Sequence, residues 1–148
     1  MIRKFESSDL DKVLDIWFKG NVQAHHFVPA SYWKKHIGYV SAVLPESEVY
    51  VYLENGEVVA FVGLEGDYIA GLFVESGYRS KGIGHEIMEF LKKIHDVLTL
   101  SVYEKNKRAV GFYKKEKFCI VEAKCEHSTH EKEFVMKWQK EDVPALSL

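Results

Sequence analysis

Short β-type runs interleaved with amphipathic stretches predict a single α/β (α+β) domain, a mixed and mostly antiparallel sheet flanked by helices. Three observations carry this. Val49–Leu53, Asn55-Gly56 and Val58–Leu64 form a hairpin signal, because Asn-Gly supplies both positive-φ positions of a type I′ turn. Ile83, Ile87, Phe90, Leu91 and Ile94 recur at helical spacing between two β-type runs, the order of a parallel crossover. The 148 residues, 47% hydrophobic with a formal net charge of −2, suit one domain with a core and exclude a disordered chain.

The elements follow in order. Ile2 to Phe5 opens as a short strand. Ser8 can cap a helix whose Leu10, Val13, Leu14 and Trp17 share one face, with Asp9 and Asp11 in its first turn and Gly20 as its stop. A loop with His25, His26, Phe27 and Pro29 leads to a second helix, capped by Ser31, carrying Trp33, Ile37, Val40 and Leu44 and closed by Pro45. After the hairpin, Tyr68–Val74 adds a strand to the meander. A helix spans about Gly82 to Ile94, a buried strand Val97–Tyr103, and a short helix capped by Asn106 runs through Lys115. Phe118–Ala123 and Glu133–Trp138 close the sheet, giving β-α-α-β-β-β-α-β-α-β-β. Residues 1–140 form the domain; 141–148, with Pro144 and no periodicity, read as a frayed tail.

Composition narrows the function classes. No apolar run approaches the roughly 18 residues of a membrane span, and MIRKFESSDL lacks the apolar core of a secretory signal. Cys119 and Cys125 lie on one extended segment, roughly 20 Å apart and too far to pair. A reduced, cytoplasmic protein is expected, with no membrane partner. Charge is uneven along the chain. Ile37 to Tyr78 contains no Lys or Arg but holds Glu46, Glu48, Glu54, Glu57, Glu65, Asp67 and Glu75. Bases gather from Arg79 onward. An acidic first half suits a cationic ligand and a basic second half an anionic one. A nucleic-acid partner is disfavoured by the −2 net charge.

The densest motif surrounds Gly77, Gly82 and Gly84. A P-loop requires Lys directly after the second Gly of its frame, and Ile83 stands there. A dinucleotide fingerprint requires a third small residue, where the chain has bulky Ile87. What remains is Arg79-x-x-Gly82-x-Gly84 between strand and helix. Glycines allow close backbone approach, the first helical N–H groups lack internal partners, and Arg79 and Lys81 add charge, so a phosphate can sit there.

A second segment, Asn106-x-x-Ala109-x-x-Phe112-Tyr113 followed by Phe118, joins the first. With Arg79, Gly82 and Gly84, these residues resemble the GNAT superfamily of acetyl-CoA-dependent N-acetyltransferases, in the small single-domain bacterial form, over nearly the whole chain. Lys117 departs from the pattern by replacing a Gly at a turn that typically needs positive φ, and Ser76 replaces a common Pro.

The resemblance implies a site residue by residue. The fourth and fifth strands would splay at a bulge, and the backbone of Leu72, Phe73 and Val74 would pair with the pantetheine arm. The amides of Ser80, Lys81, Gly82, Ile83, Gly84 and His85 would hold the pyrophosphate beside Arg79. Asn106 would help fix the pantetheine or acetyl end, and Lys105, Lys107, Arg108 and Lys114 are candidates for the adenosine phosphates. Tyr113 would be the general acid for the departing thiolate, its ordinary pKa of about 10 lying above a thiol's. The Val74 amide would polarise the acetyl carbonyl as an amine attacks it directly. The general base stays open. The family's two carboxylate positions hold Ser101 and Ala70 here, leaving His25, Glu65 or a water wire. Cys125, His127 and His130 space like metal ligands, but the family needs no metal and none is expected. The expected partners are acetyl-CoA and a primary amine, on a small molecule or on a protein lysine or N-terminus, with the protein a monomer or homodimer. A CoA-binding regulatory module without turnover is the alternative.

Overall fold

A computed structural model describes residues 1–141, so the expected tail lies, past its first residue, outside the described residues. The order is β1 (Ile2–Lys4), α1 (Leu10–Ala24), α2 (Ala30–Val43), β2 (Glu48–Glu54), β3 (Glu57–Glu65), β4 (Tyr68–Val74), α3 (Ile83–Ile94), β5 (Val97–Tyr103), α4 (Lys107–Lys115), β6 (Cys119–Cys125) and β7 (Lys132–Gln139). The strands form one sheet ordered β1-β2-β3-β4-β5-β7-β6. Every pairing is antiparallel except β4 with β5. Asn55 and Gly56 turn the β2–β3 hairpin with φ of 51° and 81°, the pair of positive values a type I′ turn requires.

The two faces of the sheet carry separate helix layers. Ile83, Ile87, Met88 and Leu91 of α3 and Val110 and Tyr113 of α4 pack with Val62, Leu98, Leu100 and Met136. On the other face Val13 and Ile16 of α1 pack with Val49, Val51 and Phe61. Val28, Trp33 and Tyr103 form a smaller cluster beside that layer.

Three helix-boundary expectations need correction. Ser8 does not cap α1: residues Ser7–Asp9 make a 3₁₀ turn, and buried Asp9 accepts from the Glu6 N–H at 2.8 Å while pairing with Arg3 at 2.7 Å. Ser31 lies inside α2, which starts at Ala30 after Pro29, whose φ of −58° leads into a helix. Gly20 does not end α1, which continues to Ala24. Its missing side chain has another use, because a Cβ there would stand 2.7 Å from Cδ1 of Phe73. Gly71 does the same from the strand, at 2.8 Å from Phe73 Cε2, so the ring lies between two glycines.

The feature that positions a site is a gap in the sheet. β4 and β5 pair only through Tyr68–Thr99 and Ile69–Leu100. Directly afterwards β4 bulges: Leu64 pairs with Ile69 but Gly63 with Gly71, leaving Ala70 unopposed. A bulge bends its strand and interrupts pairing, and from here β4 and β5 diverge toward their C-terminal ends.

Candidate active site

Register shows which backbone groups face the gap. The Glu75 N–H donates to the Val59 carbonyl at 2.8 Å, so hydrogen-bonded pairs of the β3–β4 ladder fall at alternate residues, including Phe61–Phe73. Leu72 and Val74 alternate with them and turn their N–H and C=O groups toward β5. Phe73 does not: its backbone belongs to the ladder and its ring stacks on Phe61 at 5.5 Å on the α1 side. This corrects its expected role in holding a ligand through its backbone. On the opposite wall, Glu104 N–H to Lys132 carbonyl (2.9 Å) sets the β5–β7 parity. Ser101 and Tyr103 therefore face the gap.

The mouth of the gap is electropositive. Ser80 and Gly82 have φ of 62° and 81°, and Gly82 caps α3 in the left-handed region. The first intrahelical bond runs from the Glu86 N–H to the Gly82 carbonyl (3.0 Å), leaving the Ile83, Gly84 and His85 N–H groups without helical partners. Buried Ile83 anchors the turn in the core. Arg79 Nε donates to the Val74 carbonyl at 3.0 Å, and Arg108 donates to Ser80 Oγ at 3.3 Å. Burial, with a smaller contribution from the nearby Arg108 charge, lowers the Arg79 pKa. Lys81 extends over the Tyr78 ring at 5.6 Å. The His85 side chain turns instead to Glu116 at the end of α4 (2.8 Å), a contact that raises its pKa.

Tyr113 lies on the same side of the sheet, buried and edge-on to Phe112 and Phe118 at 5.2 and 5.5 Å. Burial pushes its phenol well above the ordinary range, so it stays protonated at neutral pH. Its helix docks closely on α3: a Cβ at Gly84 would stand 3.1 Å from the Phe112 ring. At the start of α4, the Asn106 side chain accepts from the Ala109 N–H at 3.3 Å and meets His25 Nε2 at 3.1 Å. His25 is buried against Trp33, Tyr103 and Phe27, with centroids at 5.3, 4.9 and 5.7 Å, and burial lowers its pKa to about 4. His25 Nδ1 and Trp33 Nε1 are both buried without a partner.

Other expected residues lie elsewhere. Glu65 sits opposite Tyr68 at the β3–β4 turn, beyond the closed end of the gap. Four strand residues, roughly 13 Å, separate Tyr68 from Leu72. Lys107 and Lys114 flank Gly111 on a different side of α4 from Arg108, beside a cavity of about 450 Å³ floored by Val110 and Phe134. That splits the expected adenosine-phosphate candidates, leaving Arg108 beside Ser80 in the loop before α3. Lys105 pairs with Glu131 at 2.7 Å. The side chains that cluster like metal ligands among the described residues are His85, Glu89 and Glu116, rather than Cys125, His127 and His130. Glu133 went unnoticed in sequence. It pairs across the sheet with Tyr103 and so shares its face, and burial raises its carboxyl pKa. Period-2 alternation gives this face only once the β5–β7 register is known.

A splayed β4–β5 pair, a helix start with unpartnered N–H groups and a buried tyrosine on the following helix are the arrangement expected of an acyl-CoA transferase fold. Residues 45–120 match the family model for the acetyltransferase (GNAT) domain, and the chain belongs to this family of acetyltransferases, which acetylate amines. It is 33% identical over 140 residues to the peptidyl-lysine N-acetyltransferase YiaC of Escherichia coli (strain K12), covering 93% of this chain and 96% of that protein. The solution structure of apo-form YjaB from Escherichia coli superposes with a TM-score of 0.84 at 26% identity, over 95% of this chain and 98% of that one. An aminoglycoside 6′-N-acetyltransferase complexed with coenzyme A shares the fold, with a TM-score of 0.72 at 17% identity over 97% and 99% of the two chains.

Proposed function

We propose that this protein acetylates lysine side chains of other proteins, using acetyl-CoA held in the β4–β5 gap. The carrying observation is the row of backbone groups at Leu72, Val74, Ser101 and Tyr103 that the register turns into an interrupted sheet leading to the phosphate loop. An extended pantetheine arm would complete that ladder as an added strand. Acetyl-CoA, when bound, supplies the activated thioester. The Ile83, Gly84 and His85 amides with Arg79 and Arg108 would bind its pyrophosphate. The Val74 N–H would polarise the acetyl carbonyl, with the Leu72 backbone pairing the pantetheine arm. Tyr113 would give its proton to the departing sulfur.

A lysine acceptor is supported by the name of the relative YiaC and by the acidic stretch from Ile37 to Tyr78. Its ammonium must lose a proton before attack. Glu133, on the same face of the sheet as Tyr103 and with a raised carboxyl pKa, would receive that proton through water. The protein is read as cytoplasmic, in keeping with its free, exposed Cys119 and Cys125.

A panel of small amines, a free N-terminal peptide and a lysine peptide, followed by release of free CoA, tests the assignment. The lysine peptide should exceed every small amine by about tenfold or more in kcat/KM. Preference for a small amine would overturn the lysine assignment, and no release with any amine would overturn transfer itself.

A further inference from the structure

We propose that His25 is a positioning residue rather than the general base: it holds Asn106 in place, and through Asn106 it ties the α1–α2 loop to the helix that carries Tyr113. The proposal rests on the acetyl-transfer reading above. It is argued from which atoms can give and take hydrogens.

The orientation of the Asn106 amide is fixed from one side. Its Oδ1 accepts from the Ala109 N–H at 3.3 Å, closing the first turn of α4, so its Nδ2 is the atom 3.1 Å from His25 Nε2. An amide nitrogen only donates. Nε2 must therefore present its lone pair, and the ring hydrogen of neutral His25 must sit on Nδ1. Nδ1 is itself buried and unpartnered. A substrate ammonium thus meets no basic nitrogen on this ring: one lone pair is already accepting, and the other nitrogen carries its hydrogen.

The surroundings hold both partners still. The His25 N–H donates to the Asn21 carbonyl, and its own carbonyl accepts from Val28, both at 2.9 Å, pinning the residue where α1 ends. Trp33, Tyr103 and Phe27 enclose the ring. Asn106 is held as firmly: its N–H donates to the Tyr103 carbonyl at 3.0 Å, and its carbonyl accepts from the Val110 N–H at 3.1 Å. The contact bridges 81 residues of sequence and joins the loop after α1 to the N-terminus of α4. Tyr113 lies two turns along that helix. A phenol that must reach a sulfur atom tolerates little displacement, since small misplacements cost large factors in rate. His25 acts on that placement through Asn106.

Two substitutions and one spectrum separate the roles. In His25→Gln the side-chain oxygen can accept from Asn106 but cannot serve as a base at neutral pH; in His25→Leu neither is possible. With fold confirmed by circular dichroism, His25→Leu should lower kcat by about tenfold or more and weaken acetyl-CoA binding, measured by calorimetry. His25→Gln should recover most of both losses. Equal loss of turnover in the two variants would overturn positioning in favour of a base, and full turnover in His25→Leu would overturn it outright. Long-range ¹H–¹⁵N spectra of the wild type at pH 7 should show Nδ1 protonated and Nε2 bare, and the opposite tautomer would contradict the geometry. Failure of the wild type to turn over any amine would instead remove the acetyl-transfer reading. In that event the tautomer and the acetyl-CoA affinities still decide whether His25 holds Asn106.

Discussion

The two walls of the gap are built in different ways. After β4 the work falls to backbone: positive φ at Ser80 and Gly82 and unpartnered N–H groups at the start of α3, with Arg79 and Arg108 bonded beside them. After β5 it falls to side chains, with His25 packed among Phe27, Trp33 and Tyr103 and Asn106 bonded to the histidine. Backbone sites demand particular residue types at particular spacings, so they leave motifs. Side-chain clusters form between distant segments and leave almost none.

The largest effect should come at Tyr113. If it is the acid, Tyr113→Phe lowers kcat by about 100-fold or more. Acetyl-CoA affinity, measured by calorimetry, should stay near that of the wild type, because the phenol is needed for departure of the thiolate. A matching loss of affinity would make Tyr113 part of the binding wall instead.

Next in size is a pH effect confined to the wall that follows β5. Burial lowers the His25 pKa from 6.5 to about 4, so between those values the unfolded chain takes up a proton that the folded one refuses. The stabilisation is complete above pH 6.5 and fades as pH falls, with about 3 kcal/mol lost by pH 4. Urea unfolding of wild type and His25→Gln at pH 7.5 and 4.5 should show the wild type losing more. Parallel losses would mean that His25 is not desolvated in solution.

A smaller effect tests the packing behind β4. Gly20→Ala puts a methyl 2.7 Å from the Phe73 ring. Overpacking of about 1–3 kcal/mol is opposed by roughly 1 kcal/mol of helix propensity, for a net loss of about 1 kcal/mol. In a Phe73→Leu background the clash is relieved and the same change should become stabilising, a sign reversal readable in urea midpoints.

The smallest concerns Lys117, which closes α4 at φ 74° with the Phe118 N–H bonded to the Tyr113 carbonyl at 3.0 Å. This is the position where glycine fits without strain. Lys117→Gly should stabilise by about 0.5–1 kcal/mol and raise Tm by about 2–4 °C, leaving acetyl-CoA affinity alone.

Much of the fold was legible for the same reason the Arg79–Gly84 loop was. Asn55-Gly56, the α3 stripe and the Asn106 cap are local, and the positive φ at Lys117 followed from a missing glycine. What was not legible depended on contacts between segments. Gly20 reads as a helix stop until Phe73 is seen against it. Leu72 and Val74 cannot be told from Phe73 without the β3 register, nor can Glu133 be placed beside Tyr103. The pairing of His25 with Asn106 has no local signature.

The central claim, that the β4–β5 gap is the coenzyme slot, is tested most directly by titrating ¹⁵N-labelled protein with CoA. The amides of Leu72, Val74, Tyr103, Ile83, Gly84 and His85 should move together while that of Phe73, bonded within the sheet, moves least. Shifts confined to Lys107, Gly111 and Lys114, or no shifts at all, would contradict it.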